Sequence, residues 1–410
     1  MSRLVATRVL FRIATDGAWA TPTLDAEIRR AGLSRADAGL ATEIVYGSLR
    51  VLPELDAVLN GLLKTPATTD PMLRAALWVG AYQLLHLSRV PPHAAVSESV
   101  NAARAGCGKK LAGVANAVLR KIARTRPDDP HPPDRLVVPD WMGACVERGL
   151  GEERAEMFFG ARRMPPPLGL RFSPESDPES WSDALGVEVT RSAVAPRGGS
   201  VRGVGDPRNL PGFDDGLFAV QELGSQAVAA AVDAQPGEWV ADLCCGHGTK
   251  TLALAEDVGP KGHIVAVDLY EEKLDRLEIE RARLRVDVAR IEALAVDLTR
   301  GLGGLEPKSF DRVLLDAPCS GLGTVHRRPE LSLRLGPKDP PRLAKLQRSL
   351  LKNAAKLVQP GGRLVLATCS AAHDEGPGLA DALPGTPKVD VIGPWLGEPL
   401  DVYHVLTWQL

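Results

Sequence analysis

No apolar run in the 410 residues approaches the ~18 needed to span a membrane. The opening stretch, Met1-Ser-Arg-Leu-Val-Ala-Thr-Arg-Val-Leu-Phe-Arg12, is broken by arginines. It lacks the continuous apolar segment of a signal peptide and reads as a helix with a basic face. A soluble cytoplasmic protein with no membrane partner is the expectation. Cysteine is sparse: six, at positions 107, 145, 244, 245, 319 and 369, with no C-x-x-C spacing and no histidine at zinc-finger distance. Reduced thiols fit better than disulfides or a structural metal, so no metal is expected. There is no internal repeat or long low-complexity tract.

Net charge is also nearly absent, at −2, but the charge is unevenly placed. Residues 1–126 carry 17 Lys and Arg against 9 Asp and Glu. From Ser99 to Pro127 there are seven bases (Arg104, Lys109, Lys110, Arg120, Lys121, Arg124, Arg126) and no acid. Two readings fit: an electrostatic footprint for a polyanion, or a solvated helix surface.

A hydrophobic content of 44% is ample for buried cores, and the length suggests two or three domains. Up to about residue 125, apolar residues recur at helical spacing, as in Leu4, Val5, Val9, Leu10 and Ile13. The expected division is an all-α domain over 1–126, a proline-rich linker over 127–137, a small α+β region over 138–220 and an α/β domain over 221–410. Within 138–220, helices are expected at Trp141–Arg148 and Glu152–Ala161, strands at Leu168–Phe172 and Val187–Ser192, and loop over Pro196–Asp215. From Gln221 the chain alternates strand and helix, which predicts a parallel, doubly wound sheet.

In such sheets the carboxyl ends of the strands form the crevice. The loop Asp242-Leu-Cys-Cys-Gly-His-Gly-Thr-Lys-Thr251 leaves the first strand. It is neither a dinucleotide G-x-G-x-x-G nor a phosphate-binding G-x-x-x-x-G-K-[ST]. Gly246 and Gly248 permit tight turning. Asp268 at the end of the second strand suits ribose hydroxyls, and Asp297 after the third suits an adenine amino group. Adenosine bearing no phosphate fits this set, and S-adenosylmethionine is the commonest such cofactor.

Cys319 and Cys369 each follow an apolar strand, in Asp316-Ala-Pro-Cys-Ser-Gly-Leu-Gly323 and Thr368-Cys-Ser370. Carbon 5 of cytosine is a poor nucleophile until a thiolate adds at carbon 6 and an acid holds ring N3. A second proton-handling group must then help the thiolate leave. Cys319, Cys369 and Asp316 supply those types.

These residues resemble the RsmB/NOP (Sun/Fmu) family of RNA cytosine-5 methyltransferases, as do Val220-Gln-Glu222, Arg327-Arg-Pro-Glu-Leu331 and Leu343-Ala-Lys-Leu-Gln347. The N-terminal region looks like the NusB-type RNA-binding bundle of the bacterial 16S rRNA branch, through Leu40-Ala-Thr-Glu-Ile-Val-Tyr-Gly-Ser-Leu-Arg50, Gly80-Ala-Tyr-Gln-Leu-Leu85, Val90-Pro-Pro-His-Ala-Ala-Val96 and Asn116-Ala-Val-Leu-Arg120. The resemblance implies an α/β, Rossmann-like class I S-adenosylmethionine-dependent methyltransferase sheet preceded by an all-α NusB-like bundle and a small α+β insert. It implies Cys369 as nucleophile, Cys319 in product release, and Asp316 on N3 and near the cofactor's methionine end. The cofactor would be held by Cys244, Cys245, Gly246, His247, Gly248, Thr249 and Lys250, with Asp268 and Asp297. A monomer acting on small-subunit ribosomal RNA is the expected form.

The chain departs from the family in three places, one of them near its end, where Asp401-Val-Tyr-His-Val-Leu406 keeps only the outline of Asp-Gly-Phe-Phe-Val-Ala. Its loop reads Cys-Cys-Gly-His-Gly-Thr-Lys where the family has Cys-Ala-Ala-Pro-Gly-Gly-Lys, and a β-branched Thr249 is unfavourable if that position needs positive φ. Beyond Ser370 the chain has Ala-Ala-His-Asp-Glu-Gly-Pro-Gly378 in place of an acidic run and helix. The alternative these changes favour is an RNA-binding or assembly protein with a degenerate methyltransferase domain.

Overall fold

The computed structural model describes residues 1–131, 135–160, 166–287 and 289–410. Part of the predicted linker (132–134) and Ala161, the expected end of a helix, lie outside these residues. Two compact units result. One comprises Met1–Ala144 with Phe159 and Val325–Gly336; the other comprises Cys145–Phe158, Pro166–Thr324 and Pro337–Leu410. The units are not contiguous in sequence, because a segment just after Cys319 belongs with the first.

The first unit is helical: α1 (Ser2–Asp16), α2 (Ala20–Ala31), α3 (Arg35–Arg50), α4 (Leu52–Leu62), α5 (Pro71–His86) and α6 (Pro92–Thr125), the last kinked at Gly108. Helix α5 is buried almost all round, from Leu73 through Leu84, as a central helix must be. The Asp70 side chain accepts from Leu73 N–H at 2.9 Å and Pro71 occupies the first turn, which fixes where α5 starts. Val5, Val9, Leu10 and Ile13 of α1 pack into the same core. The segment 325–336 joins this unit through Glu330, which accepts from Ala20 N–H at 3.2 Å, and through Arg334, stacked on Trp19 at 3.9 Å.

The division between the units falls within α7 (Asp140–Leu150) and again within α8 (Glu152–Gly160). A small antiparallel sheet follows, ordered β2-β3-β1-β4, of β1 (Leu168–Phe172), β2 (Thr190–Arg191), β3 (Gly198–Val201) and β4 (Phe218–Val220), with α9 (Trp181–Leu185) against it. Phe172 stacks on Trp181 at 3.9 Å in its core. The strand expected over Val187–Ser192 shrinks to two residues, and the loop expected over Pro196–Asp215 contains β3. Its glycines mislead because they serve close approach: a Cβ on Gly199 would stand 2.5 Å from Val189.

The main sheet has seven strands, ordered β10-β11-β9-β8-β5-β6-β7. Along the chain these alternate with helices as α10 (Leu223–Val232), β5 (Trp239–Leu243), α11 (Thr249–Val258), β6 (His263–Asp268), α12 (Glu271–Leu284), β7 (Arg290–Ala295), β8 (Phe310–Asp316), α13 (Leu331–Arg334), α14 (Asp339–Leu357), β9 (Val358–Thr368), β10 (Lys388–Ile392) and β11 (Tyr403–Gln409). The strands β7, β6, β5, β8 and β9 are parallel, as the sequence rhythm predicts. The sheet is mixed rather than wholly parallel, since β11 pairs antiparallel with both β9 and β10.

Alternation along the central strands builds two cores. Val313, Leu315, Leu364 and Leu366 face α14, whereas Leu314 and Val365 share a core with α10 and α11 residues. Register then aligns the strand ends. Leu243 pairs with Val267 and with Leu315, and Leu315 pairs with Leu366. Cys244, Asp268, Asp316 and Ala367 therefore occupy the next row. We expect Leu366→Ala, which opens a cavity in the central strand β9, to cost about 2–5 kcal/mol. Urea unfolding of the full chain checks this; a loss well under 1 kcal/mol, roughly the value for a surface site, would contradict the placement of β9 at the centre.

Candidate functional site

A cleft of about 310 Å³ opens at the aligned strand ends. Its polar lining includes Asp268, Asp297, Thr299 and Asp316; Leu269, Val296, Leu298, Pro318, Leu346 and Leu350 give it apolar walls. Three separated acids around an apolar slot suit adenosine, whose base is flat and whose polar groups are hydroxyls and an amine. Asp268 is held in place from three sides. It accepts from Gly246 N–H at 2.9 Å, Tyr270 N–H at 3.1 Å and Lys273 Nζ at 3.1 Å. Lys273 Nζ also reaches the other oxygen at 3.3 Å, so ribose hydroxyls would take over acceptor sites that the lysine now fills. Asp297 lies two residues beyond β7, where Thr299 N–H and Oγ1 donate to it; those bonds hold its carboxyl below the usual range.

The loop residues divide. Cys244 lines the cleft, and its thiol is pushed up to about 12 by burial and by the nearby carboxylates, so it stays protonated. Of the loop residues expected on the cofactor, Cys244 lines this cleft, whereas Cys245, Gly246, His247, Gly248, Thr249 and Lys250 do not. Cys245 is buried, with its N–H on the Val267 carbonyl at 3.0 Å. Gly248 caps α11 at φ 77°, and a Cβ there would meet Leu277 at 2.1 Å. Thr249 begins α11 and is not among the residues at positive φ. The loop's one non-glycine in that region is Cys244, at φ 61°. The feared clash at Thr249 therefore does not arise. His247 is exposed and its pKa is lowered, first by partial burial and then by Arg276 and Lys273.

Lys250 turns from the loop into the interior and pairs with Asp316 at 2.7 Å. Burial opposes its charge, but Asp316, Asp242 and Cys369 together raise its pKa, so the ammonium persists. Beneath the loop, Asp242 is fully buried, accepts from Thr251 Oγ1 at 2.6 Å, and is pushed up to about 7, chiefly by burial.

The two cysteines meet: Cys319 Sγ lies 3.3 Å from Cys369 Sγ. Their loops are stitched by backbone bonds. Ala317 N–H donates to Ala367 O at 2.9 Å, Gly323 N–H to Cys369 O at 3.0 Å, and Val402 N–H to Gly323 O at 3.0 Å. Only glycine fits at 323, where a Cβ would stand 2.0 Å from the Val402 carbonyl. The Cys319 thiol is pushed up, first by its hydrogen bond with Cys369, then by burial, then by negative charge on Cys369 and Glu375. The Cys319 thiol therefore keeps its proton through the neutral range.

Sequence reasoning missed Glu375 and Gln347. Glu375 lies in the short tail after Ser370, yet it is fully buried and accepts from both serines that follow the cysteines. Gln347 of α14 donates to Pro318 O at 2.9 Å and to Glu375 at 3.2 Å. The available signals were the acidic pair Asp374-Glu375 left in an otherwise altered run and the place of Gln347 at the end of the family-like stretch Leu343–Gln347.

Residues 229–392 match the family described as 16S rRNA methyltransferase RsmB/F, and residues 1–124 match the NusB family. The ribosomal RNA small subunit methyltransferase B of Pseudomonas putida is 32% identical over 95% of this chain and 91% of its own length. The protein of the same name from Escherichia coli is 32% identical over 84% of this chain and 81% of its own. The crystal structure of PH0851 superposes with a TM-score of 0.81 at 24% identity, over 100% of this chain and 99% of that one, a likeness of fold. The degenerate-domain alternative gains nothing from these matches.

Two predictions follow from the electrostatics. A carboxyl raised by burial binds its proton more tightly folded than unfolded, so its ionisation costs stability as pH climbs from ~4 to about 7 for Asp242. Asp242→Asn should therefore gain melting temperature relative to wild type at pH 8 but not at pH 4, and a pH-independent difference would contradict the assignment. Because the Cys319 thiol is raised, iodoacetamide at pH 8 should modify Cys369 ahead of Cys319, with Cys319 catching up only above its ordinary range of ~8.5. Peptide mapping that finds equal rates would count against an unequal pair.

Proposed function

The chain belongs to the RsmB/F family of 16S rRNA methyltransferases, and from that premise we propose that it forms 5-methylcytosine in small-subunit ribosomal RNA, with Cys369 as nucleophile and Cys319 assisting release. The observation that carries this reading is the 3.3 Å contact of the two thiols beside the Lys250–Asp316 pair. S-adenosylmethionine is the cofactor and supplies an electrophilic methyl group on a sulfonium centre. Cys244, Asp268, Asp297 and Asp316, which line the cleft, would hold it.

The chain's own groups then act on cytosine. The Cys369 thiolate adds to carbon 6, and the displaced π electrons move toward N3, which makes carbon 5 nucleophilic. The Lys250 ammonium lies within electrostatic reach of the attacking Cys369 sulfur. N3 takes up a proton from solvent as charge reaches it, and the Asp316 carboxylate, with the Lys250 ammonium 2.7 Å behind it, accepts a hydrogen bond from that N3–H until the ring re-forms and the proton returns. Once carbon 5 carries the methyl group, its proton leaves to solvent, the double bond re-forms and the bond from carbon 6 to sulfur breaks. Cys319, which keeps its proton, donates a hydrogen bond to the departing Cys369 sulfur as negative charge returns to it. A stacked, paired cytosine does not reach these thiols, so the target lies in single-stranded or unstacked RNA. Arg104, Lys109, Lys110, Arg120, Lys121 and Arg124 are all exposed on α6 and fit backbone phosphates.

The test is methyl transfer from labelled S-adenosylmethionine to undermodified small-subunit RNA. Wild type should label cytosine carbon 5. Cys369→Ala should lower transfer by about three orders of magnitude or more, as loss of a nucleophile does. Cys319→Ala should accumulate a covalent protein–RNA adduct under turnover conditions. Label at another base, or undiminished transfer by Cys369→Ala, would refute the reading.

A further inference from the structure

Glu375 is a fully buried carboxylate whose side chain, among the described residues, accepts hydrogen bonds from neutral donors. Ser320 N–H donates to it at 2.8 Å, Ser320 Oγ by a shorter bond, Ser370 Oγ at 2.6 Å and Gln347 Nε2 at 3.2 Å. Its own carbonyl accepts from Thr368 Oγ1 at 2.7 Å, which fastens the tail to the end of β9. A buried charge with neutral partners is expensive, and neutral side chains are enough to satisfy two hydroxyls. Indeed the serines already touch each other, Oγ to Oγ at 3.1 Å. What a carboxylate adds is a set of convergent acceptors strong enough to hold several donors in one arrangement.

That arrangement has a specific consequence. Ser320 follows Cys319 and Ser370 follows Cys369, so a single carboxylate clamps the residue after each thiol. The backbone bond from Ser320 N–H fixes the very peptide unit that Cys319 shares with Ser320. The clamp and the sulfur contact therefore form one closed ring, from Cys319 through Ser320, Glu375, Ser370 and Cys369 back to Cys319. Replacing Glu375 by Gln turns one of its two acceptor oxygens into a donor, so the four donors that now converge on the carboxylate are left with one acceptor oxygen and the tie between the two loops weakens. The negative charge of Glu375 also falls on Cys319 and helps it keep its proton.

We propose that Glu375 is a positioning residue whose carboxylate ties Ser320 to Ser370 and so holds Cys319 against Cys369 for the release step. The release role rests on the function proposed above; the clamp itself does not. The clamp is read in the full chain, without RNA or cofactor, by cross-linking with diamide. Each Cys319–Cys369 disulfide formed removes two thiol hydrogens, and the diazene bond of diamide takes them up to become a hydrazine. Wild type should form this cross-link readily, because the sulfurs already touch. Glu375→Gln should slow it by at least about tenfold, given how narrowly disulfide geometry is set. Ser370→Ala, a milder change that keeps the carboxylate, should slow it by less.

In methyl transfer, Glu375→Gln should lower turnover by about a hundredfold, the usual cost of a misplacement near 1 Å, with accumulation of covalent protein–RNA adduct and little change in cofactor affinity. A merely structural role would lower activity in step with melting temperature and leave no adduct. Cross-linking at the wild-type rate in both Glu375→Gln and Ser370→Ala would overturn the clamp. If wild type transfers no methyl group while the cross-linking result holds, the proposed function fails and the clamp stands. If the cross-linking result holds and transfer proceeds but no adduct accumulates in Glu375→Gln, the release role is overturned.

Discussion

Register across four parallel strands decides where every functional group of the second unit lies. Leu243, Val267, Leu315 and Leu366 share one row of the sheet, so the residues after them emerge side by side at its carboxyl edge. A slip of one residue in any strand would reverse which face each side chain meets and would separate Asp316 from Lys250. The large apolar residues on both faces make such a slip costly. Site geometry is thus a by-product of core packing, and the loops need only complete it.

Desolvation does the rest. Asp242, Lys250, Glu375 and Cys319 sit where water is largely excluded, and each is answered differently. Lys250 keeps its charge by pairing with Asp316. Glu375 is raised by burial, against which the Ser320 and Ser370 hydrogen bonds pull. Asp242 has few partners and rises toward neutrality. Cys319 keeps its proton because its neighbours are sulfur and a carboxylate. Two chemically identical thiols 3.3 Å apart are made unequal by what surrounds them.

Much of this was legible in the sequence. Apolar runs that end in Asp or Cys mark buried strands feeding a crevice, and the fold brings Asp316, Cys319 and Cys369 to one edge of the sheet as that pattern predicts. The cleft acids Asp268 and Asp297 were legible for the same reason. What escaped is what depends on distant contacts. Strand β3 hid behind glycines that serve close packing, and β11 runs against its neighbours although nothing in Tyr403–Gln409 encodes direction. The loop 244–250 was read as one cofactor-binding unit, and only the fold shows that Cys244 is the member lining the cleft while Lys250 turns to Asp316. The stretch after Ser370 looked like a damaged motif. Folded, it consists of short turns that deliver Glu375 to both cysteine loops.

The central claim is that the pair divides labour, with Cys369 attacking and Cys319 assisting. RNA carrying 5-fluorocytidine tests it most directly, since fluorine at carbon 5 cannot leave as a proton does and the addition product persists. Wild-type protein incubated with S-adenosylmethionine and this RNA, then digested and sequenced by mass spectrometry, should carry the nucleotide on the peptide containing Cys369. A nucleotide on Cys319, or no covalent product from a protein that methylates the unmodified RNA, would contradict the account.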